Sequence, residues 1–498
     1  MMMKRLFFLL CLVSPLFGKA AGNAFVFTPE LVEAYHHILA LRFEKGLALL
    51  ETERKKNPSS PALAFVSDYH FFLKSFINED VKTFESEIAA FEARLAILKK
   101  GDNASPYYHY CQAELLVHQA ALRFKFRDYV MGANNVRDAY NLLEKNIKLY
   151  PNFKPHYKSM GMLQVLVGTV PPKFSWVTNM LGMEGNIEEG MQKINSFRKA
   201  PYLNPETEML KEEALFLYSF LQLHIVKEKE ESWKEIELAT RDYKTNLLHC
   251  YARASVGMHC KKTDEVISTL KNRPKGAEYA RFYFLDYMLG TAYLHKQDTN
   301  AAIYLKIFVT FFKGENYIKD AYRKLAWNYL CAGDENKYVI YMDQVKRKGK
   351  DQVDEDKDAY KEATTGERPE PRILKSRLLF DGGYYSQALA ILLPLANEKW
   401  KRTRDQVEYV YRLARVYHET KEEGKAILNY TKTIELGKTQ TWYYAANSSL
   451  QLGYIYEKRG QFTLARYYFK LAMDFPNDEY KTSIDQKAKA GLERIEGK

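Results

Sequence analysis

Two doublets, His249-Cys250 and His259-Cys260, offer imidazole and thiolate, the donors that hold zinc and similar ions. If this stretch is one helix, the rise per residue sets the doublets about 15 Å apart, too far to share one ion. They read as small residues packing between helices. The acidic run Asp351, Asp354, Glu355, Asp356 and Asp358 resembles a calcium loop beginning at Asp354. It has Ala359 where the sharp turn needs glycine and Thr365 where a bidentate glutamate is needed, so it reads as a solvated segment. His156, His249 and His259 are too scattered to nominate as a catalytic group. Phosphate loop, dinucleotide fingerprint, nucleophile elbow and His-Glu-x-x-His are all missing from the sequence. The expectation is a non-enzyme with no cofactor, no catalytic residue and no metal site. Recognition chemistry remains: Arg377, Tyr411, Arg415, His418, Asn447, Tyr454 and Lys458 offer the aromatic, guanidinium and amide groups that suit a polypeptide partner.

Those residues need a scaffold, and three alanines mark it. Ala388, Ala426 and Ala465 recur 38 and 39 residues apart within one helix-turn-helix pattern. The last copy carries Leu452-Gly453, Tyr456, Gly460, Phe462, Ala465, Phe469 and Ala472, with Pro476 closing its second helix. The copy before has Leu413, Ala414, Tyr417, Ala426 and Tyr430. The one before that has Pro371, Leu379, Gly383, Tyr385, Ala388 and Leu392. These fall on the small and large positions of the tetratricopeptide repeat, about 34 residues long, in which small residues let two antiparallel helices approach. Weaker copies show at Leu289-Gly290, Tyr293 and Ala302, at Leu325, Ala326, Tyr329 and Gly333, and at Gly46, Leu50 and Pro58. Degenerate copies are expected, because each needs only a matching apolar face on its neighbour.

Composition agrees with an all-α solenoid of antiparallel helix pairs. The 498 residues are 46% hydrophobic with only 16 prolines, which excludes a disordered or collagen-like chain. Tyrosine, at 37 copies, suits repeat cores whose hydroxyls reach an edge. The pattern divides the chain into residues 25–345, an irregular helical array, 346–370, a charged linker, and 371–498, regular repeats. The inward positions of the first helices would then carry Ile373 and Arg377, then Tyr411, Arg415 and His418, then Asn447, Leu450, Tyr454 and Lys458. Ile373, Tyr411 and Leu450 stand where a carboxylate clamp for a free C-terminus would want lysine, so that mode is disfavoured.

A second resemblance lies in the middle of the chain. The stretch 161–168 (Gly-Met-Leu-Gln-Val-Leu-Val-Gly), Val170-Pro171-Pro172, then Leu181-Gly182, Gly185 and Gly190 resembles the tetratricopeptide repeat protein 39 family, or an outer-membrane-type repeat family. Asn316 to Lys319, Leu325-Ala326, and Ala488, Gly491, Leu492 and Ile495 are also similar. The resemblance implies a helical scaffold and transfers no catalytic residue. Pro171-Pro172 should stop one helix, and Phe174, Trp176, Val177 and Leu181 should begin an apolar face that either packs in the array or meets a membrane or partner.

Lys4 and Arg5 precede the apolar core Leu6 to Val13 and the small residues Gly18, Ala20, Ala21 and Ala24. Residues 1–24 therefore read as a secretory signal cleaved between 18 and 24, too short to span a membrane. Cys11 has Leu10 before it and lies inside the apolar core, against lipidation. The other cysteines, Cys111, Cys250, Cys260 and Cys331, make no disulfide framework in a chain able to bury its own core. The net charge of +12 is interleaved with 62 acidic residues, which disfavours nucleic acid. The expected protein is an exported scaffold, periplasmic or outer-membrane associated in a Gram-negative cell, that binds protein or peptide partners through its concave surface. The alternative is a peripheral membrane or anionic envelope-polymer binder using the basic surface and residues 161–190.

Overall fold

A computed structural model describes residues 23–170, 182–223 and 229–497. The expected secretory signal, save residues 23 and 24, and the expected Pro171-Pro172 break with Phe174, Trp176, Val177 and Leu181 lie outside the described residues. Among the described residues the regular structure is helical, with no strand. The all-α expectation holds, and so does the pairing of consecutive helices. The chain forms two compact units: one of Met1–Phe76, Val81–Leu221 and Gly276–Ala280, the other of Ile77–Asp80, Gln222–Lys275 and Arg281–Lys498. The stretch 346–370 falls within the second.

One reversal recurs along the chain. Leu41, Arg127, Lys261, Gln297, Gly333, Gly383, Lys421 and Gly460 all adopt left-handed φ, from 57° at Leu41 to 84° at Gly383. At each, the next residue donates its N–H to a carbonyl five residues back, as in Arg42 to His37 (2.8 Å), Asp334 to Tyr329 (2.9 Å) and Glu422 to Tyr417 (2.8 Å). This six-to-one bond ends the first helix and turns the chain into the second. From Lys261 through Gln297 to Gly333 the turns stand 36 residues apart, and from Gly383 through Lys421 to Gly460 they stand 38 and 39 apart. Between Gly333 and Gly383 the interval is 50. The excess is the helix Asp354–Thr365, which belongs to no pair.

That helix corrects the solvated-linker reading of 346–370. Asp356, Ala359 and Ala363 are buried. The Asp356 carboxylate accepts the backbone N–H of Tyr317 (2.6 Å) and of Asp320 (2.9 Å), capping the helix Ile318–Cys331. A fixed cap, and not a calcium loop, is what the acidic run supplies at this position.

Small residues carry the closest helix approaches. Ala388, Ala426 and Ala465 are fully buried. Phe469 is clasped between two glycines, since a Cβ on Gly453 would meet its ring at 2.5 Å and one on Gly491 at 2.6 Å. In the first unit, His156–Gly168 crosses Ile187–Arg198 backbone to backbone: a Cβ on Gly190 would stand 2.5 Å from the Gly161 carbonyl oxygen. Gly161, Gly168, Gly185 and Gly190 of the 161–190 signature are thus packing residues, whereas Gly182 has nothing near its absent Cβ.

Two alanine substitutions separate steric exclusion from backbone strain. Gly460 has nothing near its absent Cβ but a φ of +70°, so Gly460→Ala should cost about 1 kcal/mol. Gly190→Ala drives a methyl into a carbonyl and should cost about 3 kcal/mol. Denaturant midpoints of the full chain measure both, and equal losses would contradict the glycine-lined crossing.

Candidate functional site

The regular repeats build the expected face from a buried base outward. Ile373, Tyr411 and Leu450 are core residues, with Tyr411 only 1% exposed. Tyr411 is therefore a correction to the expected contact set: it anchors its neighbours and meets no partner directly. Its hydroxyl donates to Asn447 Oδ1 (3.0 Å) and accepts from Arg415 Nη1 (3.0 Å). Arg415 also lies over the Phe380 ring, 5.1 Å from its centroid, which fixes the guanidinium by stacking. Arg377 stacks 4.5 Å over Trp327. Beside them Arg412 bonds Glu408 (2.7 Å) and the Tyr443 hydroxyl (3.2 Å). Burial would push the Glu408 carboxyl up, but Arg412 and Arg377 outweigh it and hold it below the usual range.

Arg415, Tyr411 and Asn447 thus form one connected group, and Arg377 lies within electrostatic reach of its Glu408 edge. The other three expected residues stand apart from it. His418 turns to its own repeat, its Nδ1 3.3 Å from the Tyr430 hydroxyl, and burial lowers its proton affinity. Tyr454 packs edge-on to Phe469 with Arg494 above it, and Lys458 is exposed at the end of Tyr444–Lys458. The doublets His249-Cys250 and His259-Cys260 lie at opposite ends of one helix, Leu247–His259 and its cap.

A second polar group, in the first unit, was not legible in the sequence. Lys158, 1% exposed, sets its Nζ 2.6 Å from Glu114 Oε2 and 2.5 Å from Glu213 Oε2. Ser159 donates to Glu114 and Tyr69 to Glu213. His118 holds Asp68 Oδ2 at 2.9 Å, Arg94 holds Asp68 Oδ1 at 2.8 Å, and Phe72 stacks on the imidazole. A cavity of about 10 Å³ beside Asp68, Arg94 and His118 has room for about one water. The six ionisable residues come from five helices, and only the Glu114/His118 spacing of one helical turn hints at a shared face. Glu114, His118 and Glu213 each place a ligand atom within 4.8 Å of the others, a donor set for a divalent ion. The Lys158 ammonium already sits between the two carboxylates, where that ion would go. This is a largely buried network of ion pairs, with Glu213 partly exposed at its edge.

No protein-family model matches the sequence, and no curated protein matches it significantly. Among solved structures, Naa15/Naa10 bound to HypK-THB aligns over 93% of this chain at 15% identity, with a TM-score of 0.24. The chain spans 65% of that one's length. The APC/C hetero-tetramer Cut9-Hcn1 aligns over 93% of this chain and 97% of its own at 13% identity, with a TM-score of 0.22. At such TM-scores neither likeness bears on the site.

The Lys158 arrangement carries a pH signature. Burial alone would lower the Lys158 ammonium, but Glu114 and Glu213 hold it above its ordinary value. Burial alone would raise Glu213, but Lys158 and His118 hold it below the carboxylate range. The lysine's contribution is present below its unfolded pKa and lost as pH rises through the folded one. The glutamate's is present above its unfolded pKa and lost as pH falls through the folded one, so the network supports the fold across neutral pH. Lys158→Met strands two buried carboxylates, at a cost of about 3–5 kcal/mol. The stranded carboxyls then favour the protonated form, so the deficit in Tm should shrink from pH 8 to pH 5 by calorimetry. An equal deficit at both would contradict the pairing.

Proposed function

We propose that the chain is a helical-repeat scaffold that binds a polypeptide partner along the inner face of its regular repeats, residues 371–498, and that it performs no catalysis. The observation that carries this reading is the layering of that face. A buried tyrosine and a stacked base hold Arg377, Arg415 and Asn447 in place, so their polar heads are ordered before a partner arrives. Pre-ordering lowers the conformational entropy lost on binding, and arginine over aromatic rings suits a mixed polypeptide surface. Tyr454, His418 and Lys458 extend the face toward the C-terminal end, while Tyr411 is the positioning residue of Arg415 and Asn447. In this reading residues 1–24 export the protein, which works in the periplasm or at the outer membrane. The likeness of 161–190 to tetratricopeptide repeat protein 39 and outer-membrane-type scaffolds is read as shared packing, on the contacts of Gly161, Gly168, Gly185 and Gly190.

One observation favours the alternative, a membrane-surface or envelope-polymer binder. Tyr129, Val130 and Met131 are exposed beside Phe124 at one end of the helix Tyr129–Leu149, an apolar patch in the first unit. No helix among the described residues is long and apolar enough to cross a membrane, so such a contact would be peripheral.

The two readings part in one experiment. Partners are cross-linked and captured from native envelope extract with the mature chain and with Arg377→Ala/Asn447→Ala/Lys458→Glu, both verified folded by circular dichroism. The scaffold reading predicts a partner whose recovery falls about tenfold or more in the variant, since each tenfold is only about 1.4 kcal/mol. Equal recovery moves the site off this face. Salt-sensitive binding to phosphatidylglycerol vesicles, with no partner recovered, would establish the alternative.

A further inference from the structure

The helix Asp354–Thr365 is the one insertion in the regular spacing of the second unit, and it packs on Ile318–Cys331 and Glu335–Arg347, with Glu362 within electrostatic reach of Arg377 on the inner face. Asp358 accepts from the Tyr480 hydroxyl (2.9 Å), more than a hundred residues away. Glu362 accepts from Trp327 Nε1 (2.8 Å), with Arg323 3.8 Å from its other oxygen. Trp327 is the ring on which Arg377 stacks. Just past the helix, Glu367 pairs with Arg404, whose other nitrogen holds Glu479 (3.0 Å). Three carboxylates of one short segment thus engage residues of three other parts of the unit.

The attachment is polar. Of the helix's twelve residues only Asp356, Ala359 and Ala363 are buried, so it contributes little apolar area. By contrast, Thr403–Glu419 buries Val407, Val410, Tyr411, Leu413 and Val416. An element held by ion pairs and small side chains opens more readily than one held by a core. Its surroundings (Arg323, Arg377 and Arg404 with Trp327 and Tyr480) are cationic and aromatic, the complement of an acidic helix.

We infer that the segment 354–367 is an in-chain occupant of the inner face, and that the same surface takes an acidic helical segment of a partner polypeptide in exchange for it. This rests on the scaffold reading and names its ligand class. Carboxylates one helical turn apart, as Asp358 and Glu362 are, define what the partner must present. The occupying helix keeps the face closed to weaker acidic ligands, and the partner's affinity is lowered by the fraction of time the face is covered.

The probe is a labelled peptide of residues 351–368, titrated into the mature full-length protein. Asp358→Asn/Glu362→Gln/Glu367→Gln weakens the in-chain contacts and leaves the Asp356 cap intact. We expect the peptide to bind this variant at least tenfold more tightly than the unsubstituted protein. Adding Arg377→Glu and Arg404→Glu should abolish that binding. Hydrogen exchange supplies a readout that needs no variant: in 0.5 M salt, about where screening is strong, amides of 354–365 should exchange faster while those of 403–419 do not change. No gain in peptide affinity, binding indifferent to the arginine changes, or exchange in 354–365 as slow and salt-insensitive as in 403–419 would each overturn the inference. If those fail while a captured partner still depends on Arg377, Asn447 and Lys458, the scaffold reading stands and only the acidic-helix exchange falls.

Discussion

Eight helix pairs among the described residues are closed by the same hydrogen bond, from the residue after a left-handed turn back to a carbonyl five positions earlier. The bond fixes where the first helix stops and how the second leaves it, and so fixes which side chains of the first helix face inward. Leucine, arginine, lysine and glutamine occupy the strained position as readily as glycine does. For an ordinary residue that conformation costs about 1–2 kcal/mol, which the packing of the pair must outweigh. Alanines at the crossing, fully buried at 388, 426 and 465, are what make such packing dense enough.

Once the helices are set, charge on their inner surfaces is constrained in turn. A carboxylate or ammonium removed from water must find a partner or lose its charge. In the first unit Lys158 meets two glutamates and Arg94 meets Asp68, leaving a largely buried polar core. In the second, Asp320 collects Arg323, Lys324 and the Tyr287 hydroxyl, and Glu408 collects Arg412. The same rule applied toward the rim leaves half-buried arginines stacked on rings, with capacity for further acceptors. Buried core and inner face differ in depth, not in chemistry.

The repeats were legible where their turn residue happens to be glycine or their crossing residue alanine. Gly333, Gly383 and Gly460 stand out from the sequence; Leu41, Arg127 and Lys261 make the same turn and do not. The helix Asp354–Thr365 was hidden for a different reason. Its charge density reads as solvent exposure, because only the fold reveals that Asp356 meets the free backbone N–H groups of another helix. Tyr411 illustrates the limit of position counting: the repeat pattern placed it correctly on the first helix, but its ring lies in the core and its hydroxyl is taken up by Asn447 and Arg415. The Lys158 group spans residues 68 to 213, and no spacing rule joins positions that distant.

The central claim is that the inner face of the regular repeats receives a polypeptide. Its most direct measurement is site-specific photocrosslinking in the native cell, with a benzophenone amino acid placed at Lys458, on the first helix of the last repeat, or at Leu428, which is 69% exposed on the second helix of the repeat before it. The account predicts a discrete protein adduct from position 458 and none from 428. Adducts from 428 alone, or the same adduct from both, would contradict it.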